Sequence, residues 1–168
     1  MRLRLGSVSE VTTTIWKKFE GPWGEAHYLG CRDLLCGQRL VLDLFEYQQS
    51  SPGEEVKIGG EIVPDSHMIG LTESSRIWRI SFDRPFALRV RDRNISGREP
   101  DKLKPPAPCS FAEDSEWIRE FYLEKVDFIP THYIFALLDD HIEILGSDQP
   151  QIETIQNDLT GEDSALAE

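Results

Sequence analysis

The stretch from Thr131 to Ile155 constrains the fold more than any other. Thr131 to Leu138 is an apolar, aromatic-rich run of strand length, and Asp139-Asp140 interrupts it. His141-Ile142-Glu143-Ile144-Leu145 then resumes with Ile142 and Ile144 on one face and His141 and Glu143 on the other. Two strand-like runs joined by two turn-tolerant residues predict a β-hairpin. Its first run is apolar on both faces, which predicts a central strand covered on both sides. Gly146 closes the second run. Asp148, Gln149 and Pro150, followed by Ile152 and Ile155, predict a short C-terminal helix, because a capping residue stands just ahead of a proline.

Alternation recurs upstream. Leu40, Leu42 and Leu44 predict a strand over Arg39–Tyr47 with its leucine face inward. Trp78, Ile80 and Phe82, then Phe86, Leu88 and Val90, flank Asp83-Arg84-Pro85 and predict a second hairpin, half-buried and antiparallel. β-Branched residues favour a strand within Glu10–Phe19, with further short strands over Ala26–Cys31 and within Ile62–Leu71. Residues 48–60 and 94–108 are polar or rich in Gly and Pro and predict loops. Ser110 with Glu113 resembles a capping box ahead of Trp117, Ile118, Phe121 and Tyr122, whose spacing predicts a helix over Phe111–Leu123; a strand beginning near Phe121 is the competing reading. The fold class that follows is α+β, mainly β. It is a curved antiparallel sheet built from hairpins, with one or two helices at one side and the short C-terminal helix. Residues 1–157 are expected to form a single globular domain, and residues 158–168 an acidic, frayed tail.

The 168 residues carry a net charge of −12, unevenly spread. Arg76 to Arg98 holds seven arginines against Asp83 and Asp92, whereas Asp139 to Glu168 holds nine acids and neither Lys nor Arg. Such a balance argues against nucleic acid, whose phosphates need a dominant positive field, and suits a basic protein partner. No apolar run reaches the ~18 residues of a membrane span. Met1 to Gly6 lacks the apolar core of a signal peptide, so no membrane association and a cytoplasmic location are expected. Cys31, Cys36 and Cys109 are odd in number, which argues against a disulfide framework. The C-x4-C pair has no second pair to complete a zinc site, and no cofactor is expected.

Three residue sets could carry function. His132, Asp139 and His141 combine residue types used for metal binding and general-base catalysis, and they define the enzyme or metal-binding alternative. Against it, His132 and Asp139 lie near opposite ends of a strand, and Asp139-Asp140 suits a turn in any case. Arg79, Arg89 and Arg91 are expected on one face of the second hairpin, as an anion or acidic-ligand surface or as a solvated face with cross-strand pairs. Trp23, Asp139, Asp140, Glu143 and Asp148 are the candidate partner-binding residues, with Trp117 as a further aromatic anchor. No nucleophile elbow and no glycine-rich phosphate loop is present. The expected function is therefore non-enzymatic protein binding.

Arg79-Ile80-Ser81-Phe82-Asp83-Arg84-Pro85-Phe86-Ala87-Leu88-Arg89-Val90-Arg91-Asp92 and His132 through Leu145 resemble paired strands in a group of small, uncharacterised, single-domain bacterial cytosolic proteins. Some of these are encoded beside polymorphic toxins, as immunity proteins are. The resemblance covers about a third of the chain, rests on apolar patterning, and transfers no functional residue. It implies a binding protein rather than an enzyme; together with the net charge of −12 and the missing catalytic signature, the expectation is an immunity-like partner of a basic toxin domain.

Overall fold

The computed structural model describes residues 13–24, 26, 28–49, 53–92, 105–121 and 129–157. Period-two alternation becomes strands β1 (Lys17–Lys18), β2 (Leu29–Cys36), β3 (Arg39–Glu46), β4 (Gln48–Gln49), β5 (Glu54–Ile58), β6 (Glu61–Ser66) and β7 (Ile69–Gly70). These are followed by β8 (Ile77–Asp83), β9 (Ala87–Asp92), β10 (Cys109–Ala112), β11 (Thr131–Ala136), β12 (Asp140–Gly146) and β13 (Gln151–Ile155). One helix, α1 (Glu116–Phe121), lies between β10 and β11. Every strand pair is antiparallel. One sheet has the order β1-β10-β11-β12-β9, the other β13-β8-β3-β2, and β4–β7 and β5–β6 form two separate two-stranded ribbons.

The two large sheets share one core. Leu40, Leu42, Leu44, Trp78, Ile80 and Phe82 from the second sheet join Tyr133, Phe135, Ile142 and Ile144 from the first in a single buried cluster. The Phe82 ring sits 5.1 Å from that of Tyr133, edge to face. Burying these branched and aromatic side chains between two sheets is the arrangement of a β-sandwich. The predicted hairpin at Thr131 forms, with Ala136 opposite His141, and β11 is central, as its two apolar faces require. Leu88 is only partly buried and Val90 is exposed, because β9 runs along a sheet edge.

The α+β expectation is corrected to an almost wholly β architecture in which α1, six residues long, is the one helix among the described residues. Cys109–Ala112, expected to lead into a helix, instead adds as β10 to the free side of β11. Ser110 does not cap. Its hydroxyl donates to the Ala107 carbonyl, and Ser115 caps the helix by accepting the Ile118 N–H at 3.1 Å. The C-terminal helix is likewise a strand. Two isoleucines three apart over five residues fit either periodicity, and the open edge of β8 decides the matter, placing Ile152 opposite Ile80. Pro150 precedes that strand, where its missing N–H breaks no ladder bond.

The second predicted hairpin is also corrected. β8 and β9 belong to different sheets, so Arg84-Pro85-Phe86 carries the chain from one layer to the other. Arg84 has φ 50° and donates its N–H to Gln38 O, while Phe86 donates to Leu145 O, which ties the crossing to both layers. Residues 53–66, expected to be loop and then a single strand, fold into the β5–β6 ribbon about Gly59-Gly60, both at positive φ, as two-residue hairpin turns require. Of the expected strand within Glu10–Phe19, only Lys17–Lys18 forms among the described residues. The acidic tail and the competing strand after Phe121 lie outside the described residues.

Candidate functional site

On the outer face of the five-stranded sheet, beneath α1, a charge cluster gathers around the fully buried carboxylate of Glu143, with Arg89 and Arg91 partly open to solvent. The register sets it. Arg89 is the direct cross-strand partner of Glu143, and Arg91 pairs with His141, one diagonal step away. His132 pairs with Leu145 and so is diagonal to Glu143 on the other side. Diagonal neighbours on a sheet face are within reach of long side chains. Arg89 donates from Nε to Oε1 at 3.1 Å and from an Nη to Oε2 at 2.6 Å, a bidentate clamp. Arg91 Nε lies 2.8 Å from Oε1. His132 Nε2 approaches Oε2 at 3.0 Å, without the alignment of a well-formed hydrogen bond. Its Nδ1 is 2.9 Å from Ser115 Oγ, the helix cap. Trp16 and Trp117 meet the imidazole edge-on at 4.9 and 5.0 Å, and the Arg89 guanidinium lies over Trp117.

The electrostatics follow from that geometry. Burial pushes the Glu143 carboxyl up, but contacts with His132, Arg89 and Arg91 together outweigh it and hold the group down at about 2. Burial pushes His132 below the ordinary imidazole range; Glu143 opposes this and the two arginines reinforce it. A neutral ring with its proton on Nε2 turns that N–H toward Glu143 and leaves Nδ1 to accept the Ser115 hydroxyl proton. Ser, His and Glu in sequence are the residue types of nucleophilic catalysis. Here the serine oxygen already accepts a helix N–H, the acid is consumed by two arginines, and Ser115, His132 and Glu143 are each at most 2% exposed. Such a network fixes structure and gives a substrate no approach.

A second carboxylate, Asp43, lies in the other sheet with only 1% of its surface exposed. Arg79, its cross-strand partner, clamps both oxygens at 2.8 Å, and Arg32 adds a contact at 3.5 Å. Hydrogen bonds from Arg79 lead in lowering the Asp43 pKa, over an opposing effect of burial.

These positions revise the sequence-based candidates. Arg79 stands in one sheet and Arg89 and Arg91 in the other, so they share no face, and each neutralises a carboxylate. Glu143 is wholly buried, and Trp23 is 3% exposed in the core, where its indole N–H reaches the Phe19 carbonyl; neither can meet a partner. Asp139 and Asp148 are exposed and Asp140 half-buried. Trp117 is half-buried against His132 and Arg89. His132 stands near the start of β11 and Asp139 in the turn beyond its end, so the length of the strand separates them. His141 is half-buried opposite Ala136. Among the described residues no three His, Cys, Asp or Glu side chains are grouped to hold a metal ion, and no helix is long and apolar enough to cross a membrane.

Sequence reasoning missed the β5–β6 ribbon. Val56 pairs with Val63 and Lys57 with Ile62, which puts Val56, Ile58 and Val63 on one face and Ile62 on the other. Ile58 is 63% and Ile62 65% exposed, and Val56 and Val63 are also open to solvent. The signal was Gly59-Gly60 between two β-branched runs. A scan against protein-family models matches no family, and searches of curated proteins and of solved structures return no match.

Proposed function

We propose that this chain is a non-enzymatic protein-binding module acting in the cytoplasm, an immunity-like partner of a basic toxin domain. The supporting observation is where its positive charge goes. Arg79, Arg89 and Arg91, the densest cationic stretch of the sequence, are spent on the buried carboxylates of Asp43 and Glu143. Exposed acids such as Glu73, Glu116, Glu120, Asp139, Asp148 and Glu153 then dominate the outward field of a chain whose net charge is −12. A field of that sign speeds encounter with a basic partner and disfavours acidic ones, while apolar anchors supply most of the affinity.

The test is co-expression of the tagged chain with the product of the adjacent gene. The expected result is a stoichiometric complex with a basic protein and rescue of cells from its toxicity. Failure of that product to associate, together with full toxicity in the presence of the chain, would overturn the reading.

A further inference from the structure

We propose that the β5–β6 ribbon is a docking arm that presents Val56, Ile58, Ile62 and Val63 to an apolar groove on a basic protein partner. The inference rests on the binding reading above and names its surface.

An isolated two-stranded ribbon is marginal in water without a third strand or a helix against it. Among the described residues this one has neither, since β5 and β6 pair with each other alone, and its large β-branched side chains lie open on both faces. Nothing in the fold requires that exposure, because both sandwich sheets close their core without the ribbon. Apolar exposure continues in sequence through Met68, 75% exposed, and Leu71. On one face Val56, Ile58 and Val63 stand together beside Glu61, and exposed apolar side chains rimmed by polar groups mark an interaction site.

The ribbon is protected against simple strand addition. The β5 edge is interrupted by a bulge between Glu54 and Val56, and β6 carries Pro64 and then Asp65 at φ 53°. Bulges, prolines and charges of this kind blunt an edge. Recognition therefore falls to the side chains, which would enter a groove as anchors.

Charge selects the occupant. Glu54, Glu55, Glu61 and Asp65 surround the apolar residues against the single cation Lys57. A second copy of the chain would bring the same acidic rim and a net charge of −12 against it. A basic protein meets the rim with the opposite sign.

The experiment places a photo-crosslinking phenylalanine analogue at Ile58 and, in a separate full-length variant, at Glu153 on the exposed edge strand β13, in cells of the source. The expected result is a crosslink from Ile58 to a basic protein that the Glu153 position does not give. The purified partner should then bind the I58S/I62S variant at least tenfold more weakly, with the thermal unfolding midpoint unchanged, and should associate more slowly with E61K. A crosslink from Ile58 to a second copy or to an acidic protein overturns the proposal. A basic protein captured from Glu153 alone overturns the arm and leaves the basic-partner reading standing. No basic protein at either position overturns both.

Discussion

His132 Nε2 lies 3.0 Å from Glu143 Oε2, diagonally across β11 and β12, and both side chains are closed to solvent. The pair completes a cluster in which two guanidiniums share one carboxylate. Its role is to hold α1, Trp16 and Trp117 against the outer face of the sheet, and several measurements bear on that role.

Glu143→Gln keeps the shape and removes the charge. Arg89 and Arg91 would then face each other with no carboxylate between them, and breaking a buried pair on one side typically costs about 3–5 kcal/mol. Urea unfolding followed by tryptophan fluorescence measures the loss. A change below about 1 kcal/mol would mean that solvent already screens both arginines.

Stability should fall on acidification, and the signs agree. His132 has a depressed folded pKa, so below about 6.5 the unfolded chain takes up the proton more readily and the native state loses ground. Glu143 is held near 2 against an ordinary 4.5, and Asp43 is also lowered. Their contributions are complete above the ordinary carboxylate range and are lost as pH falls from there through the folded values. The denaturant midpoint should decline in two stages, first below 6.5 and then below 4.5, and His132→Gln should remove the first. A midpoint that stays flat from pH 7 to 4 would contradict the cluster's assigned ionisation.

Ser115→Ala removes the helix cap and the hydroxyl facing His132 Nδ1 together. The expected cost is about 1–3 kcal/mol. Ser110→Ala is the useful comparison, since its hydroxyl donates to the Ala107 carbonyl and caps no helix, and its replacement should cost less. Equal losses in the two variants would argue against Ser115 as the capping residue.

Thiol reactivity should follow burial. Cys36 is exposed, Cys31 half-buried and Cys109 buried. Burial, with help from Asp43 and Asp33, pushes the Cys31 thiol up to about 11, and burial alone pushes Cys109 higher. Since the thiolate is the nucleophile, iodoacetamide at pH 8 should label Cys36 first and Cys109 only after denaturation. Peptide mapping would expose the opposite order.

The hairpin from Thr131 to Gly146 was legible because alternation and a two-residue turn are local signals. Which strands become neighbours is not local. Glu143 and Arg89 are far apart in sequence, and nothing in either segment says that β9 will lie beside β12. Arg79 and Arg89 looked coplanar because alternation reports which face a residue takes within a strand, and says nothing of which sheet the strand joins. Pro85 looked like a hairpin turn and is a crossing between layers. The helix at Phe111 failed for a related reason: Cys109–Ala112 had a vacant strand edge to fill, and tertiary pairing outweighs a weak propensity. Of the candidate site, His132 and the arginines were visible as residue types, whereas Ser115 was passed over for Ser110 as the cap.

The central claim, recognition of a basic partner through an acidic-rimmed apolar arm, is tested most directly by association kinetics with the protein crosslinked from Ile58. The rate of association should fall by about tenfold or more from low to high salt while dissociation changes little, and I58S/I62S should accelerate dissociation at every salt concentration. An association rate indifferent to salt, with dissociation from I58S/I62S matching that of the unmodified chain, would contradict the account.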